Sequence, residues 1–295
     1  MHATAHPRAS GPTFRALGAS TLLLFALSAC ATGTATAPAT PAPVSATGMS
    51  PSSSASTSAS SSASAFDLVR LSDVDPTILQ EIRYATDHNF LGRPVTGYNA
   101  AECWLTPQAA QALARAQREA VALGYTLKVY DCYRPQRAVS EFVAWAADPS
   151  DTTAQAEFYP RVAKESIIPD GYVAEKSGHS RGSTLDVTLV PLPGATSPAW
   201  TPEMGLVDCT APVAQRFADT TVDMGTGFDC FDPLAHTADT TLTAEQRSNR
   251  DRLVTLMAAQ GFRNLPEEWW HYTLAGEPHL EDYFDIPITA AGPNG

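Results

Sequence analysis

Ser177-Gly178-His179-Ser180-Arg181-Gly182-Ser183-Thr184-Leu185-Asp186 is the stretch on which both fold and chemistry turn. Its two glycines permit a tight loop. The apolar run Leu185 to Leu189 reads as a buried strand, which places Asp186 inside the strand and His179 in the loop before it. A second cluster, Glu268-Trp269-Trp270-His271, opens the segment Trp269 to Leu274, which also has strand character. Glu268 and His271 are three residues apart, a spacing that puts side chains on opposite faces of a regular strand. The motif must therefore straddle a strand entrance. Pro266 and Glu267 supply the loop from which Glu268 can turn back toward His271.

Two imidazoles and one carboxylate form a ligand set of catalytic zinc, with a fourth position left for water. His179, Asp186 and His271 are that set here, one zinc ion per chain. Hard Ca²⁺ or Mg²⁺ would require oxygen ligands almost throughout. Glu268 beside the metal is placed to act as general base, taking a proton from water and passing it to a leaving amine. Of the other histidines, His88, His236 and His279 read as ordinary polar residues, and Trp269 and Trp270 read as core and pocket wall.

Around these clusters the sequence alternates helix and strand. Thr106-Pro107 gives an N-cap followed by proline at the first helical position, and the Ala-rich segment runs to Leu123 before Gly124. Tyr125 to Tyr133 alternates as a strand, with Leu127 and Val129 on one face and Lys128 and Tyr130 on the other. Pro135 to Ala147 returns to helical spacing, and Ala244 to Gln260 is a helix closed by Gly261. The pattern predicts a single α+β domain over 66–290, with a central antiparallel sheet flanked by helices and the zinc site at the sheet. Residues 291–295 form a short tail. Pro191 to Val222 shows no clean period and reads as a long loop, either an excursion pinned by a disulfide or a flap over a pocket.

The N-terminus has another character. Residues 1–29 carry Arg8 and Arg15, no acidic residue and the short apolar run Thr21 to Ala29, as in a signal peptide. Leu27-Ser28-Ala29-Cys30 resembles a bacterial lipobox, which makes Cys30 the lipidated first residue and anchors the chain to a membrane on the periplasmic or extracellular side. The alternative is an ordinary secretory signal with a chance cysteine. Residues 30–65, almost wholly Ser, Thr, Ala, Pro and Gly after the cysteine, read as a disordered tether. Its reach is roughly 30 Å. Loss of Arg8 and Arg15 with the signal takes the formal charge from −12 to −14, which argues against nucleic acid as a partner.

With Cys30 set aside, Cys103, Cys132, Cys209 and Cys230 remain for pairing in an oxidising envelope. Three connectivities are open, as is a set of reduced buried thiols. Sequence proximity favours Cys103 with Cys132 and Cys209 with Cys230.

Five strings taken in order resemble the VanX-type D-alanyl-D-alanine dipeptidases among the zinc D,D-peptidases. They are Tyr84-Ala85-Thr86 with Asn89-Phe90, Asp131-Cys132-Tyr133-Arg134-Pro135, Ser177 to Asp186, Met224-Gly225-Thr226-Gly227-Phe228-Asp229, and Glu268 to His271. The resemblance implies a D,D-peptidase/hedgehog-like fold, with zinc on His179, Asp186 and His271 and Glu268 as base. It also implies that Arg134 stabilises the oxyanion, a role suited to an always-charged guanidinium, and that Tyr84, Ser177 and Asp229 hold the substrate's free amino end. The implied activity is hydrolysis of D-Ala-D-Ala, or of a short peptidoglycan-derived peptide, in the cell envelope. Cys132 beside the arginine and the long 191–222 segment depart from the pattern and bear on substrate size. A D,D-carboxypeptidase acting on stem peptides and a non-catalytic peptidoglycan-binding lipoprotein are the competing readings.

Overall fold

The structure, a computed structural model, describes residues 67–293. The expected signal peptide, Cys30 and the tether lie outside the described residues. The first described elements are short: β1 (Val69–Arg70), α1 (Leu71–Val74) and β2 (Leu79–Gln80). After an irregular stretch come β3 (Trp104–Leu105), which pairs antiparallel with β1, and α2 (Pro107–Ala122). Thr106 caps α2 by accepting from the Ala109 N–H, and Pro107 occupies a position where no N–H is needed. The helix buries Ala109, Ala110, Leu113, Ala116 and Ala120, and the chain turns at Gly124 with φ +87°.

Beyond the turn run β4 (Tyr125–Asp131), α3 (Gln136–Ala147), the single-turn α4 (Gln155–Phe158) and β5 (Thr184–Pro191). Then α5 (Ala244–Ala259) leads into β6 (Phe262–Asn264) and β7 (His271–Leu274). A capping box between Thr243 and Gln246 starts α5. Five strands form the main sheet in the order β2-β4-β5-β7-β6. The α+β class holds, with one amendment to the antiparallel expectation: β2 runs parallel to β4. The two are joined through β3 and α2, a crossover long enough to return the chain in the same direction.

Both faces of β4 are covered, Lys128 and Tyr130 being as buried as Leu127 and Val129. The strand was expected to reach Tyr133, but it ends at Asp131. There Tyr133 N–H turns to the Trp104 carbonyl and Arg134 N–H to the His179 carbonyl. Likewise β7 starts at His271 rather than Trp269, whose N–H is taken by the Ala235 carbonyl.

The pairing of β4 with β5 sets the site. Val129 lies opposite Val187, yet Asp131 lies opposite Asp186, so one extra residue sits in β4 between them. That bulge shifts the strand end by one residue, and Asp131 comes to face Asp186.

Disulfides join Cys103 to Cys132 and Cys209 to Cys230. Residues 192–222 contain no strand and one short 3₁₀ turn, Pro202–Met204.

Candidate active site

Asp186 and His271 are direct neighbours across β5 and β7, close enough for their side chains to converge. His179 arrives from a 3₁₀ turn, Gly178–Arg181, just ahead of β5. Ser177 starts this turn by accepting from the His179 N–H, and Gly182 ends it at φ +78°. Gly178 has no alternative, since a Cβ there would lie 2.8 Å from Thr184 Oγ1. The strings read from sequence thus become adjacent: a turn, a strand and the entrance of the next strand.

Three ligand atoms meet at the centre. His179 Nε2 is 3.4 Å from His271 Nδ1 and 3.5 Å from Asp186 Oδ1, and His271 Nδ1 is 3.4 Å from the same oxygen. These separations are long for hydrogen bonds. They match the edges of a tetrahedron around zinc, roughly 3.3–3.6 Å for bonds of about 2.0–2.2 Å. Asp186 Oδ1 is buried and has no hydrogen-bond partner. A buried carboxylate oxygen between two imidazole nitrogens fits a cation.

The electrostatics point the same way. Burial lowers the pKa of His179 well below its ordinary value, and Arg134 adds to the effect, so the ring is neutral. Its Nδ1–H donates to the Cys132 carbonyl at 2.7 Å and lies 3.3 Å from Asp131 Oδ2, leaving the Nε2 lone pair toward the centre. Burial pushes Asp186 up to about 6 against the pull of His271 and Arg134. For His271, burial alone would lower the pKa, but Glu268 and Asp186 outweigh it and raise it. The field that favours a proton on Nδ1 equally favours a metal ion there.

Glu268 sits in the loop before β7 with Oε2 3.2 Å from His271 Nδ1, and Asn264 Nδ2 donates to both the Glu268 and His271 carbonyls, at 2.9 and 3.1 Å. Arg134 lies beside the centre, its Nη2 3.8 Å from Asp186 Oδ2. Asp131 Oδ2 receives both Nε and Nη2 of Arg134, at 2.9 and 2.8 Å, while Tyr98 O–H donates to Oδ1 at 2.7 Å. The guanidinium also lies over the rings of Tyr84 and Phe142.

The triad, Glu268, Arg134 and Phe142 line a cavity of about 310 Å³, at the small end of the range for ligand pockets, about 300–1,000 Å³. Tyr84, Ser177 and Asp229 line it with the triad, Glu268 and Arg134. Tyr84 O–H donates to Asp229 Oδ2 at 2.7 Å. Burial and then Asp186 raise Asp229 well above the usual carboxylate range, so a cationic ligand group beside it would be welcome. No residue of 191–222 lines this cavity. A larger cavity, about 620 Å³, adjoins that loop through Ser197 and Trp200, and of its charged lining groups Glu81 is paired with both Arg83 and Lys128.

Three contributors had little or no sequence signal. Asp131 stood within a quoted string without a role, and only its spacing to Arg134 hinted at one. Tyr98 and Asn264 gave no hint.

A family model described as D-ala-D-ala dipeptidase, Peptidase_M15, matches residues 64–194 and 213–289. The chain is 38% identical over 222 residues to a D-alanyl-D-alanine dipeptidase of Streptomyces coelicolor, covering 75% of this chain and 98% of the relative. An enzyme of the same name from Enterococcus faecium is 36% identical over 218 residues, covering 74% and 96%. One from Escherichia coli is 29% identical over 226 residues, covering 76% and 94%.

Proposed function

The chain belongs to the Peptidase_M15 family of D-Ala-D-Ala dipeptidases, and from that premise we propose that it hydrolyses the dipeptide D-Ala-D-Ala to two molecules of D-alanine, using zinc held by His179, Asp186 and His271. The observation that carries this reading is the triangle of ligand atoms 3.4–3.5 Å apart with Glu268 against one corner. When bound, the ion supplies Lewis-acid polarisation of the scissile carbonyl and makes water more acidic.

The chain's own residues do the rest. Glu268 takes a proton from the attacking water and delivers it to the amide nitrogen as the C–N bond breaks. Arg134, fixed by Asp131 and by the rings beneath it, meets the negative charge that develops on the carbonyl oxygen. Asp229 with Tyr84 receives the substrate's ammonium, and Ser177 forms part of the same wall. Binding a free amino end in a buried pocket disfavours longer chains, whose acylated nitrogen would leave Asp229 unpaired. The proposal extends to location: a signal peptide ending before a lipidated Cys30 would place the domain in the cell envelope, where wall-derived dipeptide is available.

The purified zinc-loaded protein should release D-alanine from D-Ala-D-Ala, lose that activity to a chelator and regain it with zinc. Turnover of a longer stem peptide without release from the dipeptide would replace this reading with a D,D-carboxypeptidase. Activity that survives chelation would overturn the zinc assignment.

A further inference from the structure

Asp229 occupies an improbable backbone position. It is not glycine, yet its φ is +56°, in the left-handed region that L side chains other than Asn and Asp rarely adopt. It lies in an irregular loop, so no helix or strand ladder enforces that conformation. Something else must hold it, because a carboxylate that greets a ligand from a strained residue is only as well placed as its neighbours make it.

The neighbours come from the long loop. Cys230, the next residue, is bonded to Cys209, and the Cys209 carbonyl accepts from the Gly227 N–H at 2.8 Å. Cys209 thus grips the chain on both sides of Asp229, two residues before it and one after. Cys209 is itself anchored, its N–H donating to the Glu157 carbonyl at 3.0 Å. The Phe231 N–H donates to the Phe158 carbonyl at 2.8 Å, which ties the same loop to α4. A second staple runs outside the disulfide: Arg161 pairs with Asp208, next to Cys209, and with Asp232, two residues beyond Cys230. Cys209 and Asp208 both fall within 195–212, the span that interrupts the family-model match. One half of the clamp on Asp229, Cys209 with Asp208, therefore lies outside the matched residues, while its partners Cys230, Asp232 and Arg161 lie within them.

We infer that the Cys209–Cys230 disulfide, with the Arg161 ion pairs beside it, is a positioning device that holds Asp229 for the amino end of the substrate. The long loop then acts without entering the cavity, by fixing the backbone of one residue in its wall. The inference rests on the proposed role of Asp229, and its test separates the two claims.

Steady-state kinetics on D-Ala-D-Ala with the zinc-loaded enzyme supply that test. Cys209→Ser/Cys230→Ser should raise KM about tenfold, the lower end of what losing a hydrogen bond to a charged group costs, with kcat nearly unchanged. Zinc content should equal that of the wild type. Asp229→Asn should raise KM by at least as much, and adding the two serines to it should raise KM no further, a coupling that general loosening of the fold would not give. Should the serine pair fail to fold, Arg161→Gln keeps the test, since this half-exposed side chain staples the same two segments. It should raise KM about twofold and lose its effect in the Asp229→Asn background. A wild-type KM in the disulfide-free enzyme, or in Arg161→Gln if that is the variant available, overturns the positioning device, as does an effect that adds to Asp229→Asn. If Asp229→Asn raises KM while the clamp variants do not, only the device falls; if Asp229→Asn itself leaves KM unchanged, the amino-end reading falls and the device with it.

Discussion

Strand β4 serves two buried clusters of charge that differ in kind. Through Lys128 and Tyr130 it enters a group with Glu81, Arg83, His88, Glu157 and Asp219, in which each polar group meets another from the protein. Lys128 Nζ donates to Glu81, Ser197 and the Asp219 carbonyl, Tyr130 O–H donates to Asp219, and Arg83 donates to Glu81 and to His88, which in turn donates to Glu157. Through Asp131, which pairs with Arg134, the same strand enters the active site, where Asp186, Asp229 and Glu268 line the cavity and the cations among the lining residues are Arg134 and Lys176. One oxygen there, Asp186 Oδ1, has no hydrogen-bond partner. A closed set of pairs stabilises a fold; a surplus of carboxylate around converging imidazoles calls for a cation from outside. The larger cavity beside the closed cluster is thus no rival to the smaller one beside the open cluster.

The contrast can be broken most forcefully at Glu268. Glu268→Ala should reduce turnover of D-Ala-D-Ala by about 10²–10⁴-fold with zinc content and melting temperature close to wild type. Activity within a few-fold of wild type would remove Glu268 from the role of base. The opposite pattern belongs to Lys128. Lys128→Met leaves Glu81 and Asp219 with Arg83 in place of two cations, so chemical denaturation should show a loss of about 1–3 kcal/mol, while zinc content in the folded fraction stays unchanged. A fall in zinc content there would show that the two clusters are not separable. The smallest effect is on the pH profile. Burial would raise the pKa of Asp219, but Lys128 and Arg83 outweigh it and hold it below the usual carboxylate value. A depressed carboxylate contributes stability that is full above its unfolded pKa, about 3.9, and is lost as pH falls through the lower folded value. The stability gap between wild type and Asp219→Asn should accordingly narrow as pH falls through that window, and a constant gap would contradict the pairing.

What could be read in the sequence follows the same division. The open cluster was legible because its residues sit in short strings with chemistry at fixed spacing. His179 and Asp186 fall in one loop-to-strand run, and Glu268 with His271 had to straddle a strand entrance, which they do. The main helices were legible from Thr106-Pro107, Gly124 and Gly261, each a local signal, whereas the Thr243 capping box came only with the structure. The closed cluster left no such trace, since its members come from Glu81, Lys128, Glu157 and Asp219 and meet only once the chain has folded. The bulge between Val129 and Asp131 was equally hidden, being a relation between β4 and β5 rather than a property of either. So was the parallel pairing of β2, two residues long and too short to carry a pattern. Disulfide pairing by proximity agreed with the structure, but the grip of Cys209 on both sides of Asp229 needed the folded loop to become visible.

The central claim is that His179, Asp186 and His271 together hold one zinc ion. Elemental analysis of zinc bound per chain tests it most directly, applied to the wild type and to Asp186→Ala with circular dichroism as the check on folding. One zinc per wild-type chain and its loss from folded Asp186→Ala is the predicted result. Zinc absent from the wild type, or retained at full stoichiometry and affinity by Asp186→Ala, would contradict the account.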